Sequence, residues 1–249
     1  MDPRTHAEQP YRRWLPQAIR SVLDRQEPGS VTWTAEGLAQ RGLFDSEPPT
    51  MPLPELALSK AFCVRAKRIA CHRSVRRWDI LYRLLYRIHA EGDRHLLERA
   101  GDSDVRRFET FDRAVTIDVH RMKAFLRFQE PKEKTGDGYL VAHYEPDHRI
   151  LGWVAPHFIR RLGDTSWAIL TPDASVTYDR GRCHFGPGVR LLSSEDPDDI
   201  AALWCGYYRT TFNRERANPT LLDKNLPQRY RKHLTEAPTI EQLRMPFAD

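Results

Sequence analysis

The sequence predicts an α+β protein with a mostly antiparallel central sheet, flanked by helices and preceded by a helical N-terminal part. Helical periods dominate the first half of the chain, short strand-like segments gather in its middle, and further helical patterns lie between and after them. A chain of 249 residues can bury one core. We therefore predict a single domain over 1–249, with an N-terminal helix and proline-rich arm at 1–57, a helical and sheet core at 58–213 and a basic, proline-punctuated tail at 214–249.

The N-terminal half of the chain is predicted to be helical. Residues 11–26 form an amphipathic pattern, and Pro16 is expected in its first turn, where the missing N–H costs little. Residues 58–72 and 75–90 each predict another helix, because apolar residues recur there at helical spacing. Residues 44–56 hold four prolines and no period, which indicates a linker or surface arm.

The second half of the chain alternates between helical and strand-like patterns of apolar residues. A helix capped by Asp104 is expected to give way to a strand at 123–130, with an antiparallel return at 139–145. Residues 147–162 predict a helix that Pro156 kinks or shortens. Three short strands and a closing helix are then expected at 166–171, 175–179, 182–186 and 196–213.

Two clusters of cations suggest a surface that binds nucleic acid. The segment 65–78 holds six Lys and Arg residues and no acid, and the segment 209–232 is almost as basic. Aromatic residues lie in or beside both segments. Arginine forks bind phosphate oxygens and aromatic faces stack on bases, so this mixture is typical of nucleic-acid surfaces. The alternative is a pair of solvated helix faces.

Specific side chains follow from this hypothesis. The residues expected to contact phosphates are Arg68, Arg73, Arg76, Arg77, Arg229, Arg231 and Lys232. The residues expected to stack on an unpaired base are Tyr82, Tyr208 and Tyr230. On the strand predicted at 123–130, Lys123, Phe125 and Arg127 would share one face, as a single-strand platform or as a half-buried core face with snorkelling cations.

The corner between the strand at 139–145 and the following helix holds a possible acid–base site. His143 and Glu145 alternate along one strand face, and His148 falls in the first turn of the helix. A titratable histidine beside a carboxylate suits general acid–base catalysis. The same residues equally suit a helix cap in which Glu145 orients His148.

Other classes of site have little support in the sequence. There is no glycine-rich phosphate loop, no GxSxG and no HExxH motif, so no cofactor is expected. The four cysteines lack the close pairing of zinc or iron–sulfur sites, so no metal is expected, and reduced thiols indicate a cytoplasmic protein. No apolar run approaches the roughly 20 residues of a bilayer crossing, and the start lacks a secretion signal.

Several segments together resemble a bacterial family catalogued under DNA metabolism or DNA repair. Their order and spacing carry the resemblance, which covers most of the chain: 79–105, 122–130, 144–150, 154–162, 167–175, 185–188 and 203–234. Members accompany a radical SAM protein assigned to DNA repair, and a related domain is fused to a uracil-DNA glycosylase-like domain. The resemblance implies a partnership with such an enzyme and supplies no catalytic residues.

Three hypotheses about function follow. The first is a DNA-binding accessory that presents damaged or unpaired DNA to a partner enzyme, a radical SAM protein or a uracil-DNA glycosylase. The second is an enzyme for base excision or strand scission that uses the histidine and glutamate corner. The third is a docking module without DNA affinity, whose contact with its partner is the helix 147–162 or the arm 44–56.

Overall fold

A computed structural model describes residues 2–40, 58–130 and 139–189. They group into two compact units. The helical unit comprises 4–40, 58–121 and 147–153, and the sheet unit comprises 2–3, 122–130, 139–146 and 154–189. The predicted α+β class is confirmed, because helices precede a four-stranded sheet.

The helical unit is built around an aromatic core. Its helices are α1 (Pro3–Leu23), α2 (Lys60–Ile69), α3 (Arg76–His89) and the part of α4 (Ser103–Phe125) up to residue 121, with a 3₁₀ turn at Leu96–Glu98. Trp14 of α1 stacks on Trp78 of α3 with ring centroids 5.8 Å apart, and both are fully buried. Phe62 of α2 stacks on Phe108 of α4 at 5.9 Å. Large aromatic surfaces therefore hold the helices together.

Helix α1 starts earlier than the sequence predicts. It begins at Pro3 rather than near residue 11, because proline at the first helical position has the required φ and loses no hydrogen bond. Pro16 consequently lies well inside the helix and not in its first turn. The buried residues Tyr11 and Trp14 keep the helical course despite the bond that Pro16 removes.

Helices α2 and α3 match the predicted segments, and Ser59 caps α2 by accepting the Phe62 N–H at 3.2 Å. The cap of α4 is not Asp104, as predicted, but Asp102. Its Oδ1 accepts the backbone N–H groups of Asp104 at 2.8 Å and Val105 at 3.2 Å. Asp104 is buried instead, where it pairs with an arginine of α3.

The sheet unit contains β1 (Leu140–His143), β2 (Trp167–Leu170), β3 (Ala174–Asp179) and β4 (Arg182–Pro187) in the order β1-β2-β3-β4. The last two pairings are antiparallel, as predicted, but β1 pairs with β2 in parallel. Helix α5 (Leu151–Leu162) supplies the long connection that a parallel pair requires. Segment 139–145 was therefore predicted with the wrong partner, and its antiparallel contact is reduced to one bridge, Gln129 to Val141.

A further prediction about this region is wrong. Residues 123–130 do not form a strand, because α4 continues to Phe125 and the Leu126 N–H still donates to the Met122 carbonyl at 3.0 Å. Buried Met122 and Leu126 continue the helical period into the core. Helix α5 begins at Leu151 rather than at residue 147, so His148 precedes the helix instead of lying in its first turn. Pro156 lies inside α5, and whether it kinks the helix stays a prediction. Among the described helices, none combines the length and apolarity of a membrane span.

Candidate nucleic-acid interface and histidine pair

Acids from distant parts of the chain neutralise much of the cluster at 65–78. Arg68 donates to both carboxylate oxygens of Asp112, from Nε at 2.8 Å and from Nη2 at 2.9 Å, and Arg65 Nε lies 3.2 Å from Oδ2. Lys67 Nζ lies 3.0 Å from a carboxylate oxygen of Glu8. These cations, which have no acid near them in sequence, are therefore engaged within the fold.

Two predicted contact residues lie in the core of the helical unit. Arg77 is 1% exposed, and its guanidinium donates to the carbonyls of Ser74 and Ala35 and lies 4.4 Å from the centre of the Trp78 ring. Burial, together with the nearby Arg149, lowers the pKa of Arg77 to about 10. As placed, this guanidinium cannot reach a phosphate.

The predicted stacking of Tyr82 on a base is also contradicted by burial. Its ring is fully buried, and its hydroxyl donates to the Gln26 carbonyl at 2.6 Å. Burial raises the pKa of Tyr82 to about 12. Since the ring packs in the core 5.3 Å from Trp33, it has no face free to stack on a base.

The remaining predicted contacts have mixed outcomes. Arg73 and Arg76 are exposed, and Arg73 Nε donates to the Asp147 carbonyl at 3.0 Å. Five candidates lie outside the described residues: Tyr208, Arg229, Tyr230, Arg231 and Lys232. Whether the cluster at 209–232 meets the one at 65–78 therefore stays a prediction.

A different group of cations occurs in the sheet unit. We define the basic patch as Lys123 of α4 with His157, Arg160 and Arg161 of α5. The three α5 residues share one helix face by their spacing of three and four positions, and both arginines are exposed. Burial and Arg160 lower the pKa of Lys123. Burial, Lys123 and both arginines lower the pKa of His157. Cations of the basic patch thus repel one another, and within the described ranges none forms an ion pair.

The predicted platform of Lys123, Phe125 and Arg127 does not form. On a helix, residues two positions apart point about 200° apart, so Lys123 and Phe125 lie on opposite sides of α4. Phe125 is 65% exposed. The Arg127 guanidinium donates to the carbonyls of Ala124 at 2.8 Å and Leu126 at 3.1 Å, which caps the end of α4.

In the helical unit, the ring of His148 packs against that of His72, with ring centroids 4.1 Å apart and the ring planes tilted by 32°. The Nδ1 atom of His72 accepts the Ser74 N–H at 3.1 Å, and that of His148 accepts the Arg73 N–H at 3.4 Å. Each neutral ring then carries its proton on Nε2. The backbone N–H of His148 donates to Asp118 Oδ2 at 2.8 Å. In this arrangement neither ring offers a free lone pair for a general base.

His143 and Glu145 belong to the sheet unit, whereas His148 belongs to the helical unit. His143 ends β1, and its Nε2 is buried without a hydrogen-bond partner among the described residues. Burial lowers the pKa of His143, and the charge of Glu145 opposes that shift. Glu145 is exposed. The catalytic role of these three residues stays a prediction.

Metal-binding residues do not cluster in the part of the chain that the structure describes, where no group of three His, Cys, Asp or Glu could hold an ion. Cys63, Cys71 and Cys183 are free thiols. Burial raises the pKa of Cys71 to about 11, so this thiol behaves as a small apolar group.

The fold and the basic patch define an α+β protein whose sheet unit carries a group of cations without an ion pair among the described residues. The family model of a domain of unknown function, DUF4130, matches residues 75–236, and the chain belongs to this family. All four patch residues lie within the matched range. Comparison with curated proteins and with solved structures gave no match.

Proposed function

We propose that this protein binds nucleic acid, with DNA the expected form, through the basic patch. The observation that carries the proposal is the gathering of Lys123, His157, Arg160 and Arg161 without an ion pair among the described residues. The C-terminal dipoles of α4 and α5 offset part of this charge. A bound phosphate offsets more, because its oxygens accept charge-assisted hydrogen bonds from two arginines and a lysine at once.

The contrast with the helical unit supports this location. Arg65, Lys67 and Arg68 already contact carboxylates, and a phosphate would have to compete with Asp112 for the guanidinium of Arg68. Arg160 and Arg161 have no such competitor among the described residues. The patch therefore gathers cations that no carboxylate among the described residues engages, and the basic residues at 209–232 are expected to contribute phosphate contacts of their own.

The biological role that we propose is that of an accessory in DNA repair or DNA metabolism. The support is the family resemblance in the segments at 79–105 and 203–234 and the absence of a free base in the His72–His148 pair. Such an accessory would hold damaged or unpaired DNA for a radical SAM protein or a uracil-DNA glycosylase. Co-purification with such an enzyme by a chain without DNA affinity would favour a docking module instead.

The experiment that tests nucleic-acid binding is a salt series. Fluorescence anisotropy with duplex, single-stranded and uracil- or abasic-containing oligonucleotides gives the slope of log K against log salt concentration. Three permanent cations of the patch, each neutralising one phosphate, contribute about −2.7 to that slope on duplex DNA. Arg160→Ala combined with Arg161→Ala should reduce its magnitude by about 1.8.

A matched control variant distinguishes the effect of where the cations lie from the effect of the protein's net charge. Arg106 and Arg107 are also exposed, also lie on one helix and have no ion pair within the described ranges. Arg106→Ala with Arg107→Ala changes the net charge equally and should leave the slope nearly unchanged. Equal losses in the two double variants would show that binding follows total charge, and no binding at low salt would reject the proposal.

A further inference from the structure

Segment 147–153 is fastened to the loop between α2 and α3 inside the helical unit. The Arg149 N–H donates to the Cys71 carbonyl at 2.9 Å, and the indole N–H of Trp153 donates to Cys71 Sγ at 3.2 Å. Cys71, which accepts both hydrogen bonds, is buried. They join chain positions about 80 residues apart, as the separation of 82 between Cys71 and Trp153 shows.

The two histidine rings, which pack against each other, accept hydrogen bonds of another kind. Each ring accepts a backbone N–H of the loop at Nδ1, His72 from Ser74 and His148 from Arg73. An imidazole accepts in this way only while it is neutral, because the cation carries a proton on both nitrogens. The contact between His148 and the Arg73 N–H spans the segment and the loop directly.

Charged groups face the pair from both sides. Burial lowers the pKa of His148, Asp118 of α4 and Asp147 oppose that shift, and Arg73 adds to it. Burial, and after it His148 and Arg77, lowers the pKa of His72 to about 4. The ring of Phe111 covers His72 at 4.2 Å and provides no counter-charge. Both rings are therefore neutral while their Nδ1 atoms accept these hydrogen bonds.

We propose that the His72–His148 pair is an acid-released latch, which holds segment 147–153 on the α2–α3 loop while both rings are neutral. A proton on either Nδ1 turns an acceptor into a donor that faces a backbone N–H. Protons on both rings place two cations side by side with 4.1 Å between their centroids. Release removes both conflicts, and each released ring takes up one proton from solvent.

The test is amide hydrogen exchange, followed by NMR on the full chain and corrected for the intrinsic pH dependence of exchange. Between pH 7.5 and pH 5.0 we expect the protection factors of the Arg73, Ser74 and Arg149 amides to fall by about tenfold or more. Amides in the interior of α3, such as that of Leu84, should keep their protection. Protection of the three latch amides that changes less than twofold overturns the proposal.

A double variant tests whether protonation of the two rings causes the loss of protection. His72→Asn with His148→Asn places an amide oxygen near each Nδ1 position, which still accepts the backbone N–H but does not titrate in this range. We expect closed-state protection at pH 7.5 and no further loss at pH 5.0. His120→Asn, at an exposed site on α4, is the control and should behave as wild type.

Two outcomes contradict the latch. A double variant that loses protection in acid as wild type does would place the sensitive group elsewhere. If the double variant does not fold, the titration of the wild-type imidazole signals decides. Rings that take up protons with midpoints near 6.5, while the latch amides stay protected, would show that protonation does not open the segment.

Discussion

Gly37 is the position at which a single methyl group should damage the helical unit most. Its φ is +81°, a conformation that side chains disfavour. A Cβ atom there would lie 2.8 Å from Trp78 Cζ2, 2.9 Å from Trp78 Cε2 and 3.1 Å from Trp14 Cβ. Both indoles are fully buried and stacked on each other, so neither can move aside without disturbing the core.

The magnitude has two parts. Placing alanine at positive φ costs about 1–2 kcal/mol of the free energy of unfolding. Forcing a methyl group against rigid buried rings costs about 1–3 kcal/mol more. Gly37→Ala should therefore destabilise the protein by about 2–5 kcal/mol.

Gly92 is the matched control. Its φ is +75°, yet nothing lies within 4 Å of the position of a Cβ atom, so Gly92→Ala should cost only the conformational part. Urea unfolding of both variants, followed by tryptophan fluorescence and circular dichroism, measures the difference between them. Midpoints that fall equally in the two variants would refute the argument that the indoles at Gly37 are immobile.

Two further predictions concern buried chemistry. Hydrogen bonds from Arg87, opposed by burial, hold the pKa of Asp102 below its ordinary value, so the stability from this carboxylate is present above about pH 4 and lost as pH falls below it. Asp102→Asn should keep the helix cap and make the free energy of unfolding less dependent on pH in this range, whereas Asp102→Ala should also cost about 1 kcal/mol at neutral pH. Urea unfolding of each protein between about pH 2.5 and pH 7 measures this. A free energy of unfolding that falls equally with pH in wild type and Asp102→Asn would contradict the prediction. In native protein, mass-spectrometric alkylation mapping should find Cys71 and Cys183 slower to react than the half-buried Cys63, because burial raises the pKa of both to about 11; equal rates would contradict this.

The helices of the first half could be predicted because their signal is local. Apolar positions such as Ile80 and Leu84 in α3 are buried at helical spacing, and Ser59 caps α2 from the adjacent position. The strand at 123–130 was predicted wrongly because the apolar residues of that segment fit either period. The burial of Leu126 in register with Met122, which only tertiary packing provides, favours the helix.

Charge alone was a poor guide to the site. Asp112 lies 44 residues from Arg68 in sequence, so no local pattern shows that they pair. The sequence also gives no sign that Arg77 is buried, because Trp78 and three backbone carbonyls replace water around a guanidinium that looks like its exposed neighbours. Summed charge along a segment therefore overstates the number of available cations.

Part of the basic patch could have been predicted from the sequence. The spacing of His157, Arg160 and Arg161 places them on one face of a predicted helix, which is a readable signal. Their neighbour Lys123 comes from another helix, and only the fold brings it close. The strand predicted for Lys123 removed it from that context.

Chemical footprinting of Lys123 tests the central claim most directly. Acetylation with an activated ester, quantified by mass spectrometry, should be slowed several-fold at Lys123 by a saturating oligonucleotide at low salt, while exposed Lys60 of the helical unit is modified at an unchanged rate. An equal rate at Lys123 with and without oligonucleotide would contradict the assignment of the basic patch as the nucleic-acid interface.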